Sequence, residues 1–291
     1  MAETSGLLNR RTGFTRTEGS NPSVSASAAA LSAGRTACAL DTGAGLRASG
    51  SGQMSEIRRL GVLLKRPMRS LRFARATGNA ARTPPIPCAS IGRVGSSLSW
   101  DALICSRARA LLGAYHPTDW RRVGAMRWDL KGARLAPGRV YKTHDFPYDL
   151  ARDQPMRILF LFGRPSDVVP SVLRCRETEG EAWIAEHLRH MHSREGLEAI
   201  LERDVLRLEE QIDAWLALRG ADILSLKYDA LWDRCAMLGE FVGFDVALPA
   251  RAARSVADLD PDLIARVREA HATLDARVAA LPDHQLIREG I

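Results

Sequence analysis

Lysine is nearly missing from this chain: four residues (Lys65, Lys131, Lys142, Lys227) stand against 37 arginines in 291 positions. Arginine therefore serves wherever positive charge alone is wanted. A retained lysine is a candidate for chemistry that a compact ammonium performs better. Cysteine is as thinly spread. Cys38, Cys88, Cys105, Cys175 and Cys235 are odd in number and show neither CxxC nor zinc-ligand spacing. That pattern argues against a disulfide framework and fits structural thiols in a reducing, cytoplasmic compartment. No run of about 18 apolar residues occurs, so no segment reads as a membrane-spanning helix. Acidic residues are scarce in one place only. From Glu56 to Arg82 there are eight basic residues and one acid, which accounts for the whole net charge of +7. The rest of the chain is balanced, without the basic face a nucleic-acid-binding core carries, and no specific nucleic-acid partner is expected.

What is present divides the chain in three. Residues 1–54 are rich in Ala, Ser, Gly and Thr and poor in large apolar side chains. They cannot bury enough surface to offset chain entropy and read as disordered. Their composition is that of a transit peptide, or equally of a translated region upstream of a start at Met54; the second leaves the protein cytoplasmic. Residues 55–83 form a basic arm, with Ile57, Leu60, Leu64, Met68 and Leu71 at roughly helical spacing and Pro67 as an interruption. The arm reads either as a surface for an anionic lipid or acidic partner, through residues 56–82, or as a solvated segment packed on the domain. Residues 84–291 hold the fold.

In that last part strands and helices alternate. CASIG (Cys88–Gly92), RVYKTH (Arg139–His144), RILFLFG (Arg157–Gly163) and DILSLKY (Asp222–Tyr228) read as strands. The third is a continuous apolar run, as a strand buried on both faces should be. Helical periodicity covers Ser96–Gly113, Val205–Leu218 and Leu263–Leu281. The alternation predicts an α/β fold, a parallel sheet with helices on both faces and right-handed crossovers. Ligands bind such sheets at the carboxyl ends of the strands, and three motifs fall there.

The first is SIGRVGSSLSWDAL (Ser90–Leu103), in which a strand enters a glycine loop and a helix starts at once. Backbone N–H groups at a helix start, with Ser96 and Ser97, suit an anion, and Arg93 points to phosphate or sulfate. An N-capped helix after a plain turn would look the same. The loop is not a Walker A sequence, since no Lys follows Gly95, and no acid ends the strand Arg157–Gly163. The second motif is Lys142-Thr143-His144 at a strand end. The third is FLFGRPSDVVPSVLR (Phe160–Arg174), where Ser166 or Asp167 can cap a helix, Pro170 falls in its first turn, and Arg164 and Ser171 come close together.

In order and content these motifs resemble the sulfotransferases that use 3′-phosphoadenosine 5′-phosphosulfate (PAPS), over roughly residues 86–245. The resemblance implies the P-loop-like sulfotransferase fold. It makes Arg93, Val94, Gly95, Ser96 and Ser97 the 5′-phosphosulfate loop, with Arg93 where many members carry a catalytic lysine. It makes Lys142 and His144 the acceptor-side motif with His144 as base, and Arg164 and Ser171 part of the 3′-phosphate motif. LKYDALW (Leu226–Trp232) resembles the strand end whose tyrosine meets the adenosine, which points to Tyr228. Two departures accompany it. Gly163 stands where the family usually has the arginine of the 3′-phosphate motif, with Arg164 one residue later. The family's C-terminal Arg-Lys-Gly loop is absent, and Arg251 and Arg254 are candidate substitutes.

The implied activity is in-line transfer of a sulfuryl group from PAPS to a hydroxyl of a small molecule or glycan, with no metal. Lys142, Arg93 and the loop N–H groups would stabilise developing charge. Two rivals stay open: a P-loop-like nucleotide kinase using ATP and Mg²⁺, and a non-catalytic binder of a nucleotide or sulfated ligand. His187, His190 and His192 admit a metal, but without a partner carboxylate or thiol at telling spacing they read as surface or acceptor-pocket residues. Trp100, Trp120, Trp128 and Trp183 read as core or pocket wall. Asp145 points to the face opposite His144 if extended, so it is not expected to orient the base.

Overall fold

The computed structural model describes residues 68, 70–76, 84–113, 120–148, 150, 153–252 and 259–289. Residues 1–54, most of the basic arm and Arg254 lie outside the described residues. Of the arm, residues 70–76 are helical; Leu71 and Met68 are exposed and Phe73 packs on the core.

The strands are β1 (Ile86–Ser90), β2 (Gly124–Met126), β3 (Val140–Thr143), β4 (Arg157–Phe162), β5 (Asp222–Lys227) and β6 (His284–Ile287). The α-helices are α1 (Ser96–Leu112), α2 (Trp120–Val123), α3 (Pro165–Glu179), α4 (Glu181–His190), α5 (Leu208–Leu216), α6 (Cys235–Val242), α7 (Pro261–Ala270) and α8 (Ala272–Ala280). One sheet of order β2-β3-β1-β4-β5-β6 joins all the strands. The first five pair in parallel, and β6 pairs antiparallel with β5. The fold is thus α/β with a mostly parallel mixed sheet, where the sequence pattern predicted a parallel one.

Every residue of β1 and β3 is buried, and all of β4 but its first, so both faces of the central strands are covered. Their apolar, β-branched and aromatic content suits that environment. Helix α5 is pinned to β4 by Trp215, fully buried, whose ring stacks on Phe160 at 5.6 Å. Truncating so large a buried ring costs about 3–5 kcal/mol.

The expected helix Leu263–Leu281 is two helices. His271, between α7 and α8, is buried with Nε2 2.9 Å from the carbonyl oxygen of Ile200, and the chain turns there (φ −107°) to bring it inward. Helix α3 also starts earlier than expected, at Pro165. Its N-cap is Arg164, whose side chain makes no capping bond; Asp275 Oδ1 instead accepts from the Ser166 N–H at 3.1 Å, and Pro170 lies in the second turn rather than the first.

Candidate functional site

The site forms where β1 lies between β3 and β4, the crevice that the strand order opens at the carboxyl ends. Strand β1 ends at Ser90, a five-residue loop follows, and α1 begins at Ser96. Gly92 (φ +76°), Arg93 (φ +49°) and Gly95 (φ +74°) all take the left-handed conformation. For Arg93 that is strained backbone, a condition that persists where the surroundings enforce it. Gly95 is the N-cap of α1; no described side chain caps the helix and its first turn contains no acid. The positive end of a 17-residue helix is therefore left to whatever occupies the loop. A Cβ on Gly95 would collide with the ring of Tyr228, which follows β5 and closes that side of the loop. Val94 is buried and Gly163 sits against it, so a Cβ there would come within 3.2 Å of Val94 Cγ1.

Parallel pairing of β1 with β3 puts Ala89 opposite Thr143, and so brings Ser90 beside His144. Nδ1 of His144 is 3.0 Å from both the carbonyl oxygen and the hydroxyl of Ser90. A carbonyl only accepts, so Nδ1 carries the ring proton and Nε2 keeps its lone pair, the form a general base needs. The Ser90 hydroxyl also accepts from the N–H of Gly92, 3.3 Å away, tying His144 to the loop. The backbone beyond β3 is fixed from α5. Gln211 Nε2 donates to the His144 carbonyl (2.9 Å) and Trp215 Nε1 to the Asp145 carbonyl (3.1 Å). Asp145 does turn away from His144. Its carboxylate accepts from the N–H groups of Leu130 and Phe146 and meets His192 Nε2 at 2.7 Å.

Lys142 is buried, and Nζ donates to Ser97 Oγ at 2.7 Å, at the first turn of α1. Burial lowers its pKa to about 8, the Asp101 carboxylate opposing and Arg93 assisting. Burial first, and then the Lys142 charge, hold His144 well below the usual imidazole range. His187, on α4, is pushed down to about 3 by burial, Arg93, His190 and Lys142. The common cause is a cluster of positive charge in a desolvated place, which an anion would relieve.

Arg93 does not turn toward Lys142. Its Nε donates to Ser171 Oγ (3.0 Å) on α3, and its guanidinium lies 5.7 Å from the Trp183 ring. Ser171 is thus joined to the first loop and not to Arg164, the neighbour expected from sequence. Arg164 is exposed and pairs with Asp167 one helical turn on, at 3.3 Å. Arg251 pairs with Asp229 (2.7 Å) and lies over Trp232, whose ring meets Tyr228 edge-on.

The wall opposite the loop is aromatic. Trp128 stacks on His144 (5.3 Å) and His190 (4.1 Å), and Trp183 on His187 (4.7 Å). Trp100 is core and Trp120 packs against it. The three neighbouring histidines do not share a centre: His190 meets Glu186 and His192 meets Asp145. Among the described residues no group of three or more His, Cys, Asp or Glu side chains is arranged to hold a metal ion. No described helix is long and apolar enough to cross a membrane. Ser90, Gln211 and Trp215 as supports of His144 had no sequence signal, because each acts across a distance of more than 50 residues. No protein-family model matches the chain, and no curated protein matches it.

Proposed function

We propose that the chain is a sulfotransferase of the P-loop-like fold, moving a sulfuryl group from PAPS to a hydroxyl of a small molecule or glycan. One observation carries this reading: a histidine with its lone pair on Nε2 stands beside a buried lysine that reaches the first turn of an uncapped helix. PAPS supplies an activated sulfur bound to a phosphate oxygen. His144 Nε2 takes the acceptor's proton as the new oxygen–sulfur bond forms and the sulfur–phosphate oxygen bond breaks. Lys142 and the loop N–H groups hold the sulfuryl oxygens, and Arg93, always charged, offsets the charge left on the departing phosphate. The donor's own negative charge opposes Lys142 and so raises His144 toward the range where a base is effective. Tyr228 beside Gly95 would face the nucleoside, with Ser171 and Arg164 toward the 3′-phosphate.

The strand order β2-β3-β1-β4-β5 and the glycine loop after β1 support that fold assignment. A second reading, a non-catalytic binder of a nucleotide or sulfated ligand, is favoured by Arg164 being engaged with Asp167. Calorimetric titration with 3′,5′-adenosine bisphosphate, against ATP plus Mg²⁺, tests the donor site. Metal-independent binding of the bisphosphate is expected, followed by sulfation of a hydroxyl acceptor in a screen with PAPS. Preference for ATP with magnesium, or no binding of either, would overturn the sulfotransferase reading. Bisphosphate binding without transfer to any acceptor would leave the binder.

A further inference from the structure

Helix α4 carries a second imidazole to the loop, and nothing in the reaction above uses it. His187 is buried, 6 % exposed, and among the described residues its Nε2 has no hydrogen-bond partner. Buried polar atoms are nearly always paired, so an orphan nitrogen beside a binding loop marks the place of a missing partner. The ring is fixed rather than loose. It stacks on Trp183 at 14° interplanar angle, meets His144 edge-on with centroids 6.2 Å apart, and presses on Gly92. A Cβ on Gly92 would lie 3.1 Å from His187 Cε1 and 3.6 Å from Nε2, so the unpartnered nitrogen is against the loop itself. Glycine at position 92 is what admits the ring.

We infer that His187 is a substrate-contacting residue, its neutral imidazole donating from Nε2 to an oxygen of the tetrahedral oxyanion held in the Gly92–Gly95 loop. The inference rests on the proposed donor site and names a ligand group that the motifs did not. The neutral form matters. Burial first, and then the charges of Arg93 and Lys142, keep the ring unprotonated at working pH. It therefore contributes a directed N–H without competing with His144 for the acceptor's proton. Its position on α4 also makes the helix part of the site, since Arg93 lies over Trp183 on the same helix.

The test uses the full chain, uniformly ¹⁵N-labelled so that both histidine side chains and loop amides report, titrated with inorganic sulfate and, separately, with 3′,5′-adenosine bisphosphate. Sulfate is expected to shift the His187 Nε2 resonance at a concentration that Lys142→Ala raises about tenfold or more. Saturation of the loop amides with His187 unmoved would overturn the inference while leaving the donor site standing. A sulfate response at His187 with no bisphosphate binding would uphold the inference as an oxyanion contact and sink the sulfotransferase reading instead. In transfer assays His187→Phe, which keeps the stacking on Trp183, should lower kcat about 10²-fold with little change in donor KM. His187→Asn should restore part of that loss. Full activity in the His187→Phe variant would reject the contact.

Discussion

The two sides of the crevice are built differently. On the β1–β3 side His144 and Lys142 are buried; Ser90 holds Nδ1 of His144 and leaves the lone pair on Nε2, and Ser97 holds the Lys142 ammonium at the first turn of α1. On the β4–β5 side Arg164 and Arg251 are exposed and already engaged by acids, Asp167 and Asp229. Burial and fixed dipoles make an interaction strong, whereas exposed ion pairs are worth about 0–1 kcal/mol. For the proposed reaction, the first half is already arranged before any ligand arrives. The second must exchange partners to hold a phosphate, so its contribution to binding is smaller and easier to change.

Substitutions should break this contrast in a definite order. His144→Asn, which can still donate to Ser90, should lower the initial rate of sulfuryl transfer by about 10² to 10⁴. An unchanged rate would remove His144 as the base. Lys142 comes next. Lys142→Met should reduce kcat about 10²- to 10³-fold, the range for losing one preorganised oxyanion donor. It should also change the pH profile. The free-protein pKa of about 8 means that wild-type kcat/KM stays level below pH 8 and falls as the ammonium loses its proton above it. The bound donor stabilises the ammonium, so the fall in kcat should come at higher pH. In Lys142→Met the alkaline limb should vanish, and its persistence would assign it to another group. The smallest effect belongs to the other side. Asp167→Asn frees Arg164 and should tighten 3′,5′-adenosine bisphosphate by at most about fivefold in calorimetry. Weaker binding would mean that Asp167 serves the site and not merely the helix.

The same contrast marks what was legible in the sequence. The β1–loop–α1 unit can be read because its parts are contiguous: an apolar strand, two glycines, two serines and a periodic helix. Lys142 and His144 stand out because lysine is so rare and because an apolar run ends there. The pairing of Arg164 with Asp167 was not legible for a local reason. The helix begins at Pro165, which puts Asp167 in its first turn, within reach of the guanidinium. Strands β2 and β6 are only three and four residues long, and β6 is incompletely buried, so no alternation announces them. The break at His271 depends on one buried contact to Ile200, 71 positions away, which periodicity cannot report. The stacking of His187 on Trp183 is a local i, i+4 contact within α4, but the inward turn of the ring also needs the space at Gly92, a tertiary matter that periodicity does not report.

The Ser90–His144, Ser97–Lys142 and Arg93–Ser171 contacts join positions 54, 45 and 78 residues apart. Each closes a long loop, an entropic cost met only when the middle of the sheet is assembled. No hairpin or early helix can hold any part of the base, the ammonium and the loop together. A half-folded chain fresh from the ribosome would thus carry none of these three contacts, and the groups that the proposed reaction uses come together only once the central strands have paired.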